Sequence, residues 1–156
     1  MTTLTFKGGE FVELERRDQE IAFEDWANGA RPSESSDGAA ALVLSNDADL
    51  DAIGPDLHRL AAVILQFPDF KDGRAYSQAR LLRDRYGFKG QIVARGDVLC
   101  DQALFMVRSG FTVLEIGERD VAAFHRALGA FSHFYQSGAD GSWSVFHERA
   151  KARAAA

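Results

Sequence analysis

Four short apolar runs, AALVLS, AAVILQF, GQIVARG and FTVLEIG, recur between Ala40 and Gly117. Each is strand-length, and each is bounded by glycine, proline or charged residues. AAVILQF is apolar without alternation, as in a strand buried on both faces. Helical spacing fills the gaps. Ala75, Ala79, Leu82 and Tyr86 fall at i, i+4, i+7 and i+11, which predicts a helix from Arg74 to Tyr86 capped by Gly87. DVLCDQALFMVRSG reads as a helix with Asp97 as N-cap and Gly110 as C-cap. DADLDAIGPDLHRL reads as a broken helix, interrupted at Gly54-Pro55. RDVAAFHRALGAFSHFYQ reads as one long helix with Val121, Phe124, Leu128, Phe131 and Tyr135 along a face.

Strands alternating with helices imply parallel βαβ units joined by right-handed crossovers. The expected fold class is α/β, with about four βα units in a mainly parallel sheet, open or partial-barrel-like; a closed barrel needs eight. Ahead of this body, LTFKGGEFVEL alternates around Gly8-Gly9 and predicts a small N-terminal β-hairpin over residues 3–14. NGARPSESSDGA has little to bury and reads as a mobile loop over residues 28–39. The main body then spans 40–136, and the alanine-rich tail, 148–156, is expected to fray. All 156 residues are read as one domain.

Charge and cysteine usage narrow the function. Lys and Arg number 18 against 23 Asp and Glu, a net charge of −5, so nucleic acid is not an expected partner. No apolar run has membrane-spanning length, so no membrane association is expected either. MTTLTFKGGEFVE lacks a basic-then-apolar leader pattern, and a cytoplasmic location is expected. With one cysteine, Cys100, the chain cannot form an internal disulfide or supply a cysteine-rich metal or iron–sulfur site. Cys100 lies with Ala103 and Val107 on an apolar stripe and reads as a buried, inert thiol. His58, His125, His133 and His147 are scattered, and no metal-ligand spacing occurs, so no metal is expected. There is no dinucleotide fingerprint, phosphate loop or nucleophile elbow.

Parallel sheets place ligands beyond the carboxyl ends of their strands. That rule selects Ser45, Asn46 and Asp47 after the first run; Asp69, Lys71, Asp72 and Arg74 after the second; Arg95, Gly96 and Asp97 after the third; and Glu115 and Glu118 after the fourth. As a site, Arg74 and Arg95 would hold an oxyanion, with Lys71, Ser77 and Gln102 as further ligand-binding candidates. Asp72 or Asp97 would be the proton-handling group and the candidate for any catalytic role. As structure alone, Asp72 and Asp97 are N-caps, and Arg95 pairs with an acid on the next loop. The aromatics around Phe131, Phe134, Tyr135, Trp143 and Phe146 exceed what one helix face needs. They read either as core or as a homodimer or partner surface.

From Phe67 to Phe111 the sequence follows a long pattern: Phe67, Asp72-Gly73-Arg74, Ser77, Ala79, Leu82-Arg83, Arg85, Gly87, Gly90, Ala94, Gly96, Val98, Asp101-Gln102, Arg108, Gly110 and Phe111. In these residues it resembles domain-of-unknown-function family 934, a bacterial family whose members are often labelled oxidoreductases of sulfite reduction. The resemblance implies a place beside assimilatory sulfite reduction, and a polar signature of Asp72, Gly73, Arg74, Ser77, Asp101, Gln102 and Arg108. Electron-pair chemistry requires a redox centre, and an autonomous oxidoreductase here would need a flavin or nicotinamide held without the usual motif. No cofactor is predicted from the residues.

Two functions follow as expectations. The chain is an accessory protein of assimilatory sulfite reduction that binds sulfite reductase or its electron donor and assists assembly, electron delivery or substrate handling. Alternatively, it is a small enzyme that binds an anionic substrate at the strand-end pocket.

Overall fold

A computed structural model of the chain describes residues 2–7, 10–13, 19–31, 40–117, 121–142 and 144–154. The four apolar runs are strands: β4 (Ala40–Leu44), β5 (Ala62–Phe67), β6 (Gln91–Gly96) and β7 (Val113–Gly117). They are preceded by β1 (Thr2–Lys7), β2 (Glu10–Glu13) and β3 (Gln19–Ala22), and one seven-stranded sheet runs in the order β2-β1-β7-β6-β5-β4-β3. From β3 to β7 each strand lies parallel to the next in sequence. β1 pairs antiparallel with both β2 and β7. The expected N-terminal hairpin is thus β1 and β2, while its Gly8-Gly9 turn and residues 32–39 of the expected loop lie outside the described residues.

Sequential strand order has a consequence for layering. Right-handed crossovers that always step the same way return over the same face. The helices therefore share one face of the sheet, and Leu42, Leu65, Ile92 and Leu114 pack there with Ile53, Leu82, Met106 and Phe124 in one core. A doubly wound sheet reverses direction once and is covered on both faces; this one does not reverse. It is an open sheet, wound as a barrel segment is wound, with β2 and β3 as its two edges.

On the opposite face Ala41, Ala62, Ile64, Val93 and Val113 are also fully buried, with Val43 packed beside them.

The crossovers follow their local chemistry. Between β4 and β5 the chain makes two short 3₁₀ helices, Leu50–Ala52 and Gly54–Arg59, split as Gly54-Pro55 dictates. α1 (Phe23–Ala27) buries Trp26, and α2 (Arg74–Asp84) buries Ala75, Gln78, Ala79 and Leu82. α2 ends two residues earlier than the spacing predicts. A 3₁₀ turn, Cys100–Gln102, leads into α3 (Ala103–Ser109), which stops at Gly110 with φ +112°. Arg83 ties these helix ends together. Its guanidinium donates to the carbonyls of Gly110 at 3.0 and 2.9 Å, Phe88 at 2.6 Å and Gly90 at 2.8 Å. Burial lowers the Arg83 pKa.

The long C-terminal helix is corrected. α4 covers only Val121–Leu128, and it buries Phe124. Beyond it Phe131 is 67% and Tyr135 81% exposed, off the core stripe that helical spacing assigned them. Gly129 follows the last helical residue, and Ala130 closes a tight turn on the Ala127 carbonyl at 3.2 Å. Arg108 then captures the chain. It donates to the Gln136 carbonyl and the Ser142 hydroxyl, both at 2.5 Å, and stacks 3.6 Å from the Phe134 ring centroid. Tertiary contacts outweigh a helical pattern interrupted by glycine. A final helix, α5 (Val145–Ala154), runs through most of the tail expected to fray, and none of its described residues is buried. No helix among the described residues is long and apolar enough to cross a membrane.

Candidate functional site

The turn after β5 is built around two aspartates. Asp69 accepts the Asp72 amide at its carbonyl, 3.0 Å, and the Lys71 amide at its carboxylate, 2.9 Å. This presents Asp72 to three donors. The Arg74 guanidinium grips its two oxygens at 3.0 and 2.6 Å, the Arg74 amide donates at 3.2 Å, and Asn46 Nδ2 donates at 2.7 Å from the loop after β4. Hydrogen bonds from Arg74 hold the Asp72 carboxyl down to about 2, and the same pairing raises Arg74.

The expected capping role shifts by one residue. Gly73 is the N-cap of α2, and Asp72 takes the first helical amide from the position before it. Asp47 stands close enough for Arg74 to lower its pKa, behind the larger effect of the Ser45 hydroxyl. One cation facing two carboxylates gives this corner a net charge of −1. Gln78, only 6% exposed, underpins it by donating to the carbonyls of Ser45 at 3.0 Å and Ala48 at 3.2 Å.

Asp97 is not an N-cap. Its helix begins later, with Leu99 before the 3₁₀ turn and Gln102 before α3. The Asp97 carboxylate instead accepts the Phe70 amide at 3.2 Å, and Gln102 Nε2 donates to the Phe70 carbonyl at 3.1 Å. The two side chains thus brace the peptides on either side of Phe70 in the neighbouring turn. Lys71 lies over the Phe70 ring at 5.4 Å, and Ser77 is exposed on α2. Cys100, expected to be buried on a helix, lies in the 3₁₀ turn and is only half-buried, packed against the edge of the core.

Arg95 stands apart from Arg74. Alternation places it with Val93 on the face opposite the helices, and its ion pairs run to Glu20 and Glu115 while Arg74 pairs with Asp72. Arg95 donates to Glu115 at 2.5 and 2.9 Å and to Glu20 at 2.7 and 2.6 Å. Those carboxylates, Glu20 first, raise its pKa further. Glu115 is only 7% exposed. The expected partner of Arg95 is an acid on the next loop; its partner is instead Glu115 within β7 itself, joined by Glu20, which sequence reasoning missed. β3 is four residues long, too brief to show a pattern, and nothing in QEIA marks Glu20 as facing β6. A cleft of about 360 Å³ opens beside Arg95, between Gln66, Phe67, Pro68, Gly96 and Asp97. Glu118 and Trp143 lie outside the described residues. Among the described residues no group of three or more His, Cys, Asp or Glu is placed to hold a metal ion.

Together these features define an α/β protein with a singly wound, mainly parallel sheet, whose strand-end arginines are engaged by carboxylates. A family model described as bacterial protein of unknown function (DUF934) matches residues 41–146, and the chain belongs to that family. No curated protein and no solved structure matches it.

Proposed function

We propose that this chain is an accessory protein of assimilatory sulfite reduction that docks on sulfite reductase or its electron donor. The contact is made through the face carrying Phe131, Tyr135 and Phe146. The observation that carries the docking role is their exposure: 67%, 81% and 64%, with the Tyr135 and Phe146 rings 6.5 Å apart. Exposed aromatics, two of them neighbours and the third four residues from Tyr135, are costly in water and suit a protein interface. The family resemblance supplies the pathway. The engagement of Arg74 and Arg95 by carboxylates also favours docking over the enzyme alternative, whose anion holders they would be.

The test is affinity purification of the tagged protein from its own host, grown on sulfate as sole sulfur source. Sulfite reductase, or its electron donor, should copurify, and the reductase would bring its visible absorbance. A solitary, colourless protein would overturn the proposal.

One observation favours the enzyme reading, the cleft beside Arg95 at the carboxyl ends of β5 and β6. There Arg95 would hold the anion and Asp97 would handle the proton, while Arg74 and Asp72, the other two candidates, pair with each other outside the cleft lining. That reading requires thermal stabilisation of the protein by sulfite or another small anion, lost in Arg95→Ala.

A further inference from the structure

We infer that the partner meeting the C-terminal face is an acidic protein surface. Acidity of the partner rests on the docking role proposed above and adds the chemistry that recognises it. Residues 121–154 carry Arg126, Arg149, Lys151 and Arg153 against Asp140 and Glu148, a local charge of 4 − 2 = +2 in a chain of −5. The positive charge is concentrated on α5, and there it is unspent.

Elsewhere the arginines are engaged. Arg31, Arg59, Arg74, Arg80, Arg85 and Arg95 form ion pairs. Arg83 and Arg108 are held by carbonyls, and Arg126 also has a partner. Arg149 and Arg153 are the arginines among the described residues that engage nothing, and Lys151 makes no ion pair.

Spacing organises these groups. Phe146, Arg149 and Arg153 fall at i, i+3 and i+7, on one face of α5. Lys151 falls on the opposite face of the helix, where it lines a cleft of about 330 Å³ with Ser132, Phe134, Ser142 and Glu148. Phe131 and Tyr135 stand exposed in the segment that forms this cleft. A ten-residue helix with no buried side chain among those described has little to hold it in water, because short isolated helices are marginal. A covering partner would supply the missing burial. Aromatic anchors flanked by unpaired cations call for apolar residues bordered by carboxylates.

A second copy fits this pattern poorly. A two-fold interface here would set one basic α5 against another. The two arginines that share a face, Arg149 and Arg153, lie one helical turn apart, a short patch rather than the continuous track that a nucleic-acid backbone follows.

The experiment titrates the full chain with a synthetic peptide of alternating glutamate and leucine or tryptophan, reading backbone amide shifts by NMR. Three comparison probes are the same peptide with lysine for glutamate, poly(U) RNA and phosphatidylglycerol vesicles. Shifts confined to residues 131–135 and 145–153 are expected with the acidic peptide alone. They should weaken about tenfold in the triple variant Arg149→Glu, Lys151→Glu, Arg153→Glu, and similarly as salt rises from about 50 to 300 mM. Arg149→Gln with Arg153→Gln should show an intermediate loss and an otherwise unchanged spectrum, which separates charge from folding.

Equal binding of the lysine peptide, tighter binding of RNA or vesicles, self-association by sedimentation, or no shift at all would overturn the inference. The docking role fails separately. Sulfite reductase recovered from the host by the charge-reversed variant as well as by the natural chain would leave docking standing and remove the acidic partner. Binding of the acidic peptide with no copurified reductase or donor would do the reverse.

Discussion

Arg95 on β6 grips Glu20 on β3 across the two strands between them, at 2.7 and 2.6 Å. In register, Glu20 lies level with Ala41, Ala62 and Gln91, and Arg95 stands four residues beyond Gln91. With strands about 4.8 Å apart and a rise of about 3.3 Å per residue, a flat sheet would separate the two Cα atoms by about 20 Å. That is farther than the two side chains reach. The bridge therefore requires the sheet to curl toward its helix-free face, and it clasps the β3 edge to the middle of the sheet.

Removing the cation from this clasp should destabilise the fold through Glu115. Arg95→Ala leaves that buried carboxylate without its partner. A loss of about 3 kcal/mol is expected, the low end for a broken buried pair because Arg95 keeps 26% of its side chain in solvent. Urea unfolding measures it. Arg95→Met combined with Glu115→Leu should recover much of the loss; no recovery would show that Arg95 acts by some route other than neutralising Glu115.

Asp72 gives a prediction in pH. Its carboxyl titrates at about 2 in the folded chain, against an ordinary 3.8, chiefly because Arg74 donates to it. A depressed carboxylate pKa stabilises the fold above the unfolded value, and that contribution is lost as pH falls from about 4 through about 2. Carboxyl NMR titration should find the low value, and Arg74→Ala should return it most of the way to 3.8. A value unmoved by that substitution would assign the effect to the Arg74 backbone amide, which the substitution keeps, and to Asn46.

Two glycines should tolerate no side chain. A Cβ on Gly96, where φ is +110°, would lie 2.3 Å from the Phe67 carbonyl oxygen; on Gly110, where φ is +112°, it would lie 2.7 Å from Arg83 Cγ. Backbone at Gly96 cannot yield as the Arg83 side chain can. Gly96→Ala should therefore cost more than Gly110→Ala, and both should exceed the roughly 1 kcal/mol of conformational strain alone. Thermal denaturation of the two variants ranks them.

The aromatic face should separate binding from stability. Phe131→Ser and Tyr135→Ser remove side chains exposed by 67% and 81%, so each should shift stability by no more than about 0.5 kcal/mol. Both should abolish recovery of the reductase or its donor from the host. A large loss of stability would show instead that these rings hold the fold together.

Sequence alone was enough to place β4 to β7, the break at Gly54-Pro55, the stop at Gly110 and the N-terminal hairpin. In each case the signal is local: apolar runs, proline geometry, a glycine that tolerates positive φ, alternation about a turn. The family pattern from Phe67 to Phe111 was legible for the same reason. Which arginines were already engaged was not. Arg74 and Arg95 look alike in the sequence, each charged and near a strand end. Only the folded chain sets Arg74 against Asp72, two residues away, and Arg95 against Glu20, seventy-five residues away. The same limit applies at the C-terminus, where Phe131 and Tyr135 continue a helical pattern that Gly129 weakens and Arg108 ends by capturing Phe134 and Gln136. Long-range pairing and the curl of a sheet depend on which segments meet in space, and neighbouring residues carry no record of that.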